Sequence, residues 1–294
     1  MNVFKELARS YNQLYIPPSD DTEEMYSNVV KRGMEPELKN LSHFKTSHLD
    51  KLECLDTPAG EVLCVTIGER ADFVTFLQII ANKCKPVVIP DTQGASIISG
   101  IINWKKIHDH RDEYLKTLSY DTDNDLAWSE EFRRFTSDKK NYLDVLIVLS
   151  VGPYSAVPAS QVNMSDDEWI VASDTIRKYH ECTHFICRKL YPELTDAIWD
   201  EVVADTIGIY AAFGAFDPEM IKTFLGIKDG HYTFGRLENY VEEEDDTQKN
   251  AKLDELSCKI SDLLGEFCDI IDKSDNIKPF DLIRFLEDSK ESLW

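Results

Sequence analysis

The sequence predicts an α+β protein, with a mixed sheet layer and accompanying helices in the N-terminal part and a mainly helical C-terminal half. Two observations carry that expectation. Short apolar runs with strand length and β-branched content, EVLCVTIG from Glu61 and YLDVLIVLSV over 142–151, all lie before residue 152. Beyond the loop GPYSAVPASQVNM at 152–164, nearly everything carries a helical period. The expected division is an α/β region over 1–160 and a helical region over 161–294, with one continuous domain as the alternative.

Taken in order, residues 1–60 read as a short amphipathic helix alternating with loops, among them IPPSDDTEE at 16–24 and DTPAG at 56–60. The strand from Glu61 is followed by helical spacing over ADFVTFLQIIANKC (71–84) and a second short strand, PVVIP, at 86–90. Helices are expected over 97–118 and 126–135, and then the strand at 142–151. Ser165 and Glu168 make an S-x-x-E capping box that starts a long helix, stopped near Tyr191 by Pro192. A second helix covers 196–213, and Asp217-Pro218 reads as the N-cap and first position of a third. The run VEEEDD at 241–246 is expected to be a solvated linker or a helix start, before helices over 247–272 and 279–293.

Composition excludes several classes of function. Asp and Glu number 54 against 32 Lys and Arg, a formal charge of -22 that repels phosphate backbones and anionic lipid, so neither nucleic acid nor membrane is an expected partner. The seven cysteines are scattered without a CxxC pair and read as reduced thiols. The N-terminus lacks the continuous apolar core of a signal peptide, and no run reaches bilayer length. The expected location is the cytoplasm. No Gly-rich phosphate loop is present.

Chemistry concentrates in YHECTHF at 179–185, which contains His180-Glu181-Cys182-Thr183-His184, an H-E-x-x-H motif inside the long helix. Helical residues four apart lie one above the other, so both imidazoles face the same side and suit one metal ion. Glu181 is rotated off that axis, where it can reach a metal-activated water as a base without being a ligand. The alternative is two core histidines satisfied by ordinary hydrogen bonds. An apolar stripe of Trp169, Ala172, Ile176, His180, Thr183, Cys187 and Leu190 turns the motif inward.

A catalytic zinc needs a third protein ligand. Glu201 follows His184 with sixteen residues between them, enough to end one helix, turn, and return antiparallel. Asp205 lies one turn later on the same face and can accept the N–H of a ligating imidazole, while Gly208 allows close helix approach. Glu193, Asp196 and Asp200 are rival ligands that break this shared face.

H-E-x-x-H followed by E-x-x-A-D-x-x-G over 179–213 resembles the zinc site of the gluzincin metallopeptidases, and the second helix is similar to that of their thermolysin-like branch. The resemblance implies a zincin-like active-site helix and a Zn2+ cofactor. It implies His180, His184 and Glu201 as ligands, Glu181 as general base, Asp205 as support to an imidazole, and a peptide or protein as substrate. In GHYTFGRLENY, His231 and Tyr232 are candidates to stabilise an oxyanion and Arg236 to bind a substrate carboxylate. The strand at 142–151 and the loop 152–159 are candidate cleft walls, the strand offering an edge for substrate pairing; a buried central strand is the alternative. His108 and His110 straddle Asp109 and read as solvated surface. A second class of function, a zinc-stabilised helix pair that binds a partner without turnover, shares every ligand but does not need Glu181.

Overall fold

The computed structural model describes residues 2–119, 123–194, 196–242, 245–274 and 277–294. Its class is α+β, with a helical C-terminal half. The chain forms two compact units, Met1–Cys54 with Val62–Ser150 and Leu55–Glu61 with Val151–Trp294. The division falls at Ser150 and not near 160, because the loop that follows is tied to the helix it precedes.

The first unit contains α1 (Val3–Leu7), α2 (Glu23–Tyr26), most of the hairpin β1 (Lys51–Thr57) and β2 (Gly60–Ile67), and then α3 (Arg70–Ile80). It continues through β3 (Ala95–Ile102), α4 (Trp104–Thr117), α5 (Asn124–Ser137) and β4 (Leu143–Ser150). The strand order is β1-β2-β4-β3, with β4 parallel to β2 and antiparallel to β3. β4 is therefore an inner strand whose two edges are already paired, and the expected edge for substrate addition is not there. Phe4 stacks on Phe44 at 3.9 Å between ring centroids, within a core shared with Phe73, Phe76, Val65 and Val148.

Three local expectations fail in this unit. Residues 86–90 form no strand: two prolines remove ladder donors, and Val88 is 92% exposed. Residues 97–102 are strand and not helix, because Gly100 at φ 80° makes a bulge that interrupts the apolar alternation between Ser99 and Ile101. The helix begins only at Trp104, where the Asn103 side chain caps Lys106 N. β1 had no strand signal in the sequence: KLECLDT carries charged residues at Lys51, Glu53 and Asp56, and only Thr57 is buried.

The second unit follows its sequence signals closely. α6 (Asp166–Leu190) opens with the capping box of Ser165 and Glu168. α7 (Ala197–Phe213) is capped by Asp196, and α8 (Pro218–Leu225) by Asp217 with Pro218 in its first turn. A two-residue hairpin, β5 (Ile227–Lys228) and β6 (His231–Tyr232), precedes α9 (Asp246–Asp272) and α10 (Pro279–Leu293). Asp245 caps α9, so the end of the acidic run is a helix start; Glu243 and Glu244 lie outside the described residues. Among the described residues no helix is long and apolar enough to cross a membrane.

α6 and α7 make the most extensive helix–helix contact in the chain. Gly208 is the reason they come so close: a Cβ there would lie 2.8 Å from the Ile176 carbonyl oxygen. The inward stripe of α6 is buried from Trp169 to Cys187, and only Leu190, at the last turn, is exposed.

Candidate metal centre

Helical geometry brings the two histidines of α6 together. With about 100° between successive residues, positions four apart differ by roughly 40° around the axis. His180 Nε2 and His184 Nε2 lie 3.0 Å apart, with their rings edge to face. α7 supplies the carboxylate: Glu201 Oε1 is 3.2 Å from His184 Nε2, and Oε2 is 3.6 Å from His180 Nε2. One ligand atom from each of the three residues lies within 4.8 Å of the others. A tetrahedral ion about 2.0–2.1 Å from each nitrogen sets its ligand atoms roughly 3.3 Å apart, a scale at which these three side chains could hold one metal ion.

Behind these three side chains is a buried polar network. Asp205 is fully buried and accepts from His180 Nδ1 at 2.9 Å, which leaves Nε2 turned toward Glu201 and His184. Tyr154 donates its hydroxyl to the same carboxylate oxygen at 2.5 Å and lies 2.8 Å from His180 Nδ1. Arg236 pairs with the other Asp205 oxygen, and its guanidinium is 3.5 Å from Glu201 Oε2. Tyr240 hydrogen-bonds Glu201. Glu181 is half-buried and close enough to act electrostatically on His180.

These neighbours set the charges. Burial pushes the Glu201 carboxyl up, but His180, His184 and Arg236 outweigh it and hold it far below the usual carboxylate range. For His180, burial acts downward, and the carboxylates of Glu201 and Asp205 overcome it to raise the imidazole above its ordinary value. Burial and the Asp205 carboxylate push the Tyr154 phenol well up, so it stays a protonated donor. The site thus gathers the Glu201 and Asp205 carboxylates and the Arg236 guanidinium around His180.

Not every candidate arrives at this point. His231 is exposed and its ring lies 3.5 Å from Asp254, while Tyr232 donates its backbone N–H to Asp254 and its hydroxyl to the Gly235 carbonyl. The hairpin that carries them packs on α9, so neither is assigned to the cluster. Arg236 does arrive, but its guanidinium is committed to Asp205 and Glu201, which is the partnership of a counter-charge and not of a free substrate clamp. Of the rival carboxylates, Asp196 is occupied as the cap of α7, and neither Glu193 nor Asp200 belongs to the three-residue cluster. Tyr154 and Tyr240 were missed. Each is a lone aromatic in an irregular segment, and no spacing ties either to the histidines.

The site is a two-histidine, one-carboxylate group on adjacent helices that could hold a metal ion. The chain belongs to the family of unknown function DUF7005, whose model matches residues 1–284. No curated protein and no solved structure matches it.

Proposed function

We propose that this protein is a zinc-dependent hydrolase acting on amide bonds, with a peptide or protein as substrate. The observation that supports this most is the convergence of His180, His184 and Glu201 within 4.8 Å. Three protein ligands leave a fourth position for water or substrate, whereas a purely structural zinc site is closed by four. When bound, the ion supplies the Lewis acidity that lets water ionise near neutral pH.

The chain's own residues do the rest. Glu181 receives the proton from water and returns it to the leaving amine, a use of one carboxylate as base and then acid. His180 is held by Asp205 with Nε2 facing the ligand position. Arg236 pairs with the carboxylates of Asp205 and Glu201 and so offsets their charge while no ion is bound.

The same ion pairs favour a second reading. Arg236 already offsets both acidic groups, which suits a metal that fastens α6 to α7 for partner binding without turnover. Metal content measured together with hydrolysis of a peptide library, for wild type and Glu181→Gln, separates the two. Cleavage by wild type that is lost in Glu181→Gln with zinc retained supports the hydrolase. Zinc in both with cleavage by neither supports the binding role, and no zinc in wild type removes both.

A further inference from the structure

The loop at 152–157, which precedes α6, is fastened to that helix at several points. Tyr154 N donates to Ser173 Oγ at 2.9 Å. Arg177 donates from Nη1 to the Gly152 carbonyl at 2.9 Å and from Nη2 to the Pro153 carbonyl at 2.6 Å. Trp169 Nε1 donates to the Val157 carbonyl at 2.8 Å. Ser173 and Arg177 are buried polar residues on the inward face of α6, seven and three positions before His180, so the helix that carries the ligand also clamps the loop.

The backbone accepts a costly conformation to close this circuit. Ser155 and Ala156 both sit at positive φ, 51° and 57°, a region that non-glycine residues rarely adopt. Such residues persist only where the surroundings over-determine them, and here the outcome is that Tyr154 turns inward. Its ring packs edge-on against Phe224 at 5.0 Å and under the Arg236 guanidinium at 5.3 Å, and its hydroxyl reaches Asp205 and His180.

We infer that Tyr154 is a positioning residue for metal binding: by holding Asp205 against His180 Nδ1, its hydroxyl fixes the His180 ring with Nε2 presented to the ion. This rests on the metal reading given above. The hydroxyl and Nδ1 both donate to one Asp205 oxygen, so the carboxylate cannot swing away without losing two partners. Outer partners of this kind hold a ligand's tautomer and orientation before the metal arrives, and removing one costs affinity even where every ligand is intact.

The test is zinc affinity of the full chain, by competition with a chromophoric chelator, for wild type and Tyr154→Phe. The visible spectrum of the cobalt-loaded form and the thermal midpoint of the metal-free form are measured beside it. Tyr154→Phe keeps the ring contacts and is expected to bind zinc about 10–100-fold more weakly, with a shifted cobalt band and a metal-free midpoint close to wild type. Ser173→Ala, which removes one of the loop's ties to α6 but leaves the hydroxyl, is expected to weaken binding in the same direction by less. Equal affinity in wild type and Tyr154→Phe overturns the inference and leaves the metal reading standing. So does a loss of affinity matched by unfolding of the metal-free form, which makes Tyr154 a core residue only. Failure of wild type to bind zinc removes the metal reading itself.

Discussion

α4 and α6 each carry two histidines at short spacing, and only one pair converges. On α4, His108 and His110 are two apart, roughly 200° around the helix, so they face away from each other. His108 tilts against Trp104 at 5.9 Å, whereas His110 stacks on Phe135 at 4.1 Å and pairs with Glu131 at 2.6 Å. On α6, the four-residue spacing stacks His180 over His184, and a second helix brings a carboxylate to both. Histidine density says little about a metal site. What counts is angular register on one helix and an acidic residue in register on its neighbour.

The largest expected effects are on metal content. His180→Ala or Glu201→Ala is expected to abolish stoichiometric zinc, measured by plasma emission on protein purified with the metal, while His108→Ala keeps the wild-type content of about one ion per chain. Retention of zinc in Glu201→Ala would mean that α7 is not part of the site. Next comes Glu181→Gln, for which peptide hydrolysis should fall by about 10²–10⁴-fold with zinc content unchanged, the span expected when a general base is removed. Equal turnover in the variant would assign the base elsewhere.

Helix approach is the third point of attack. Gly208→Ala places a methyl 2.8 Å from the Ile176 carbonyl oxygen, so α6 and α7 must separate. The expected cost is about 1–3 kcal/mol in denaturant unfolding, with weaker zinc binding, because Glu201 and Asp205 move with α7. An unchanged denaturation midpoint would show that the helix pair has room to spare.

The smallest effect concerns the other histidine region. Arg134 first, and then His110, hold the Glu131 carboxyl at about 2, below the ordinary 4.5. A carboxyl depressed on folding stabilises the folded chain above its unfolded value, and that contribution is lost as pH falls from about 4.5 toward 2. Glu131→Gln should therefore lower the thermal midpoint slightly near neutral pH, with the difference shrinking through that window. A difference independent of pH would assign the effect to packing.

The geometry of the candidate site was more legible in the sequence than the strands around it, because it rests on helical spacing. H-E-x-x-H, the capping box and the Asp205 and Gly208 offsets are all local helical relations, and a helix fixes local relations by itself. Spacing alone points Asp205 at an imidazole and Gly208 at close helix approach; in the structure Asp205 accepts from His180 Nδ1 and Gly208 lies against Ile176. Residues placed by tertiary contacts had no such code. Tyr154 reaches His180 through a strained loop, and Tyr240 reaches Glu201 from a short 3-10 turn. His231 and Tyr232 were chosen by residue type, and a two-residue hairpin carries them to Asp254 instead. Strand errors have the same origin: whether PVVIP or ASIISGII forms a strand depends on its pairing partners, and only the second finds one, in β4.

In the proposed site, positions 180, 184 and 201 share one ion. Anomalous scattering at the zinc absorption edge, from crystals of protein purified with zinc, locates that ion and its neighbours together. The predicted result is a single strong peak about 2 Å from His180 Nε2, His184 Nε2 and a Glu201 carboxylate oxygen. A map with no peak there, or with its peak beside His108 and His110, would contradict it.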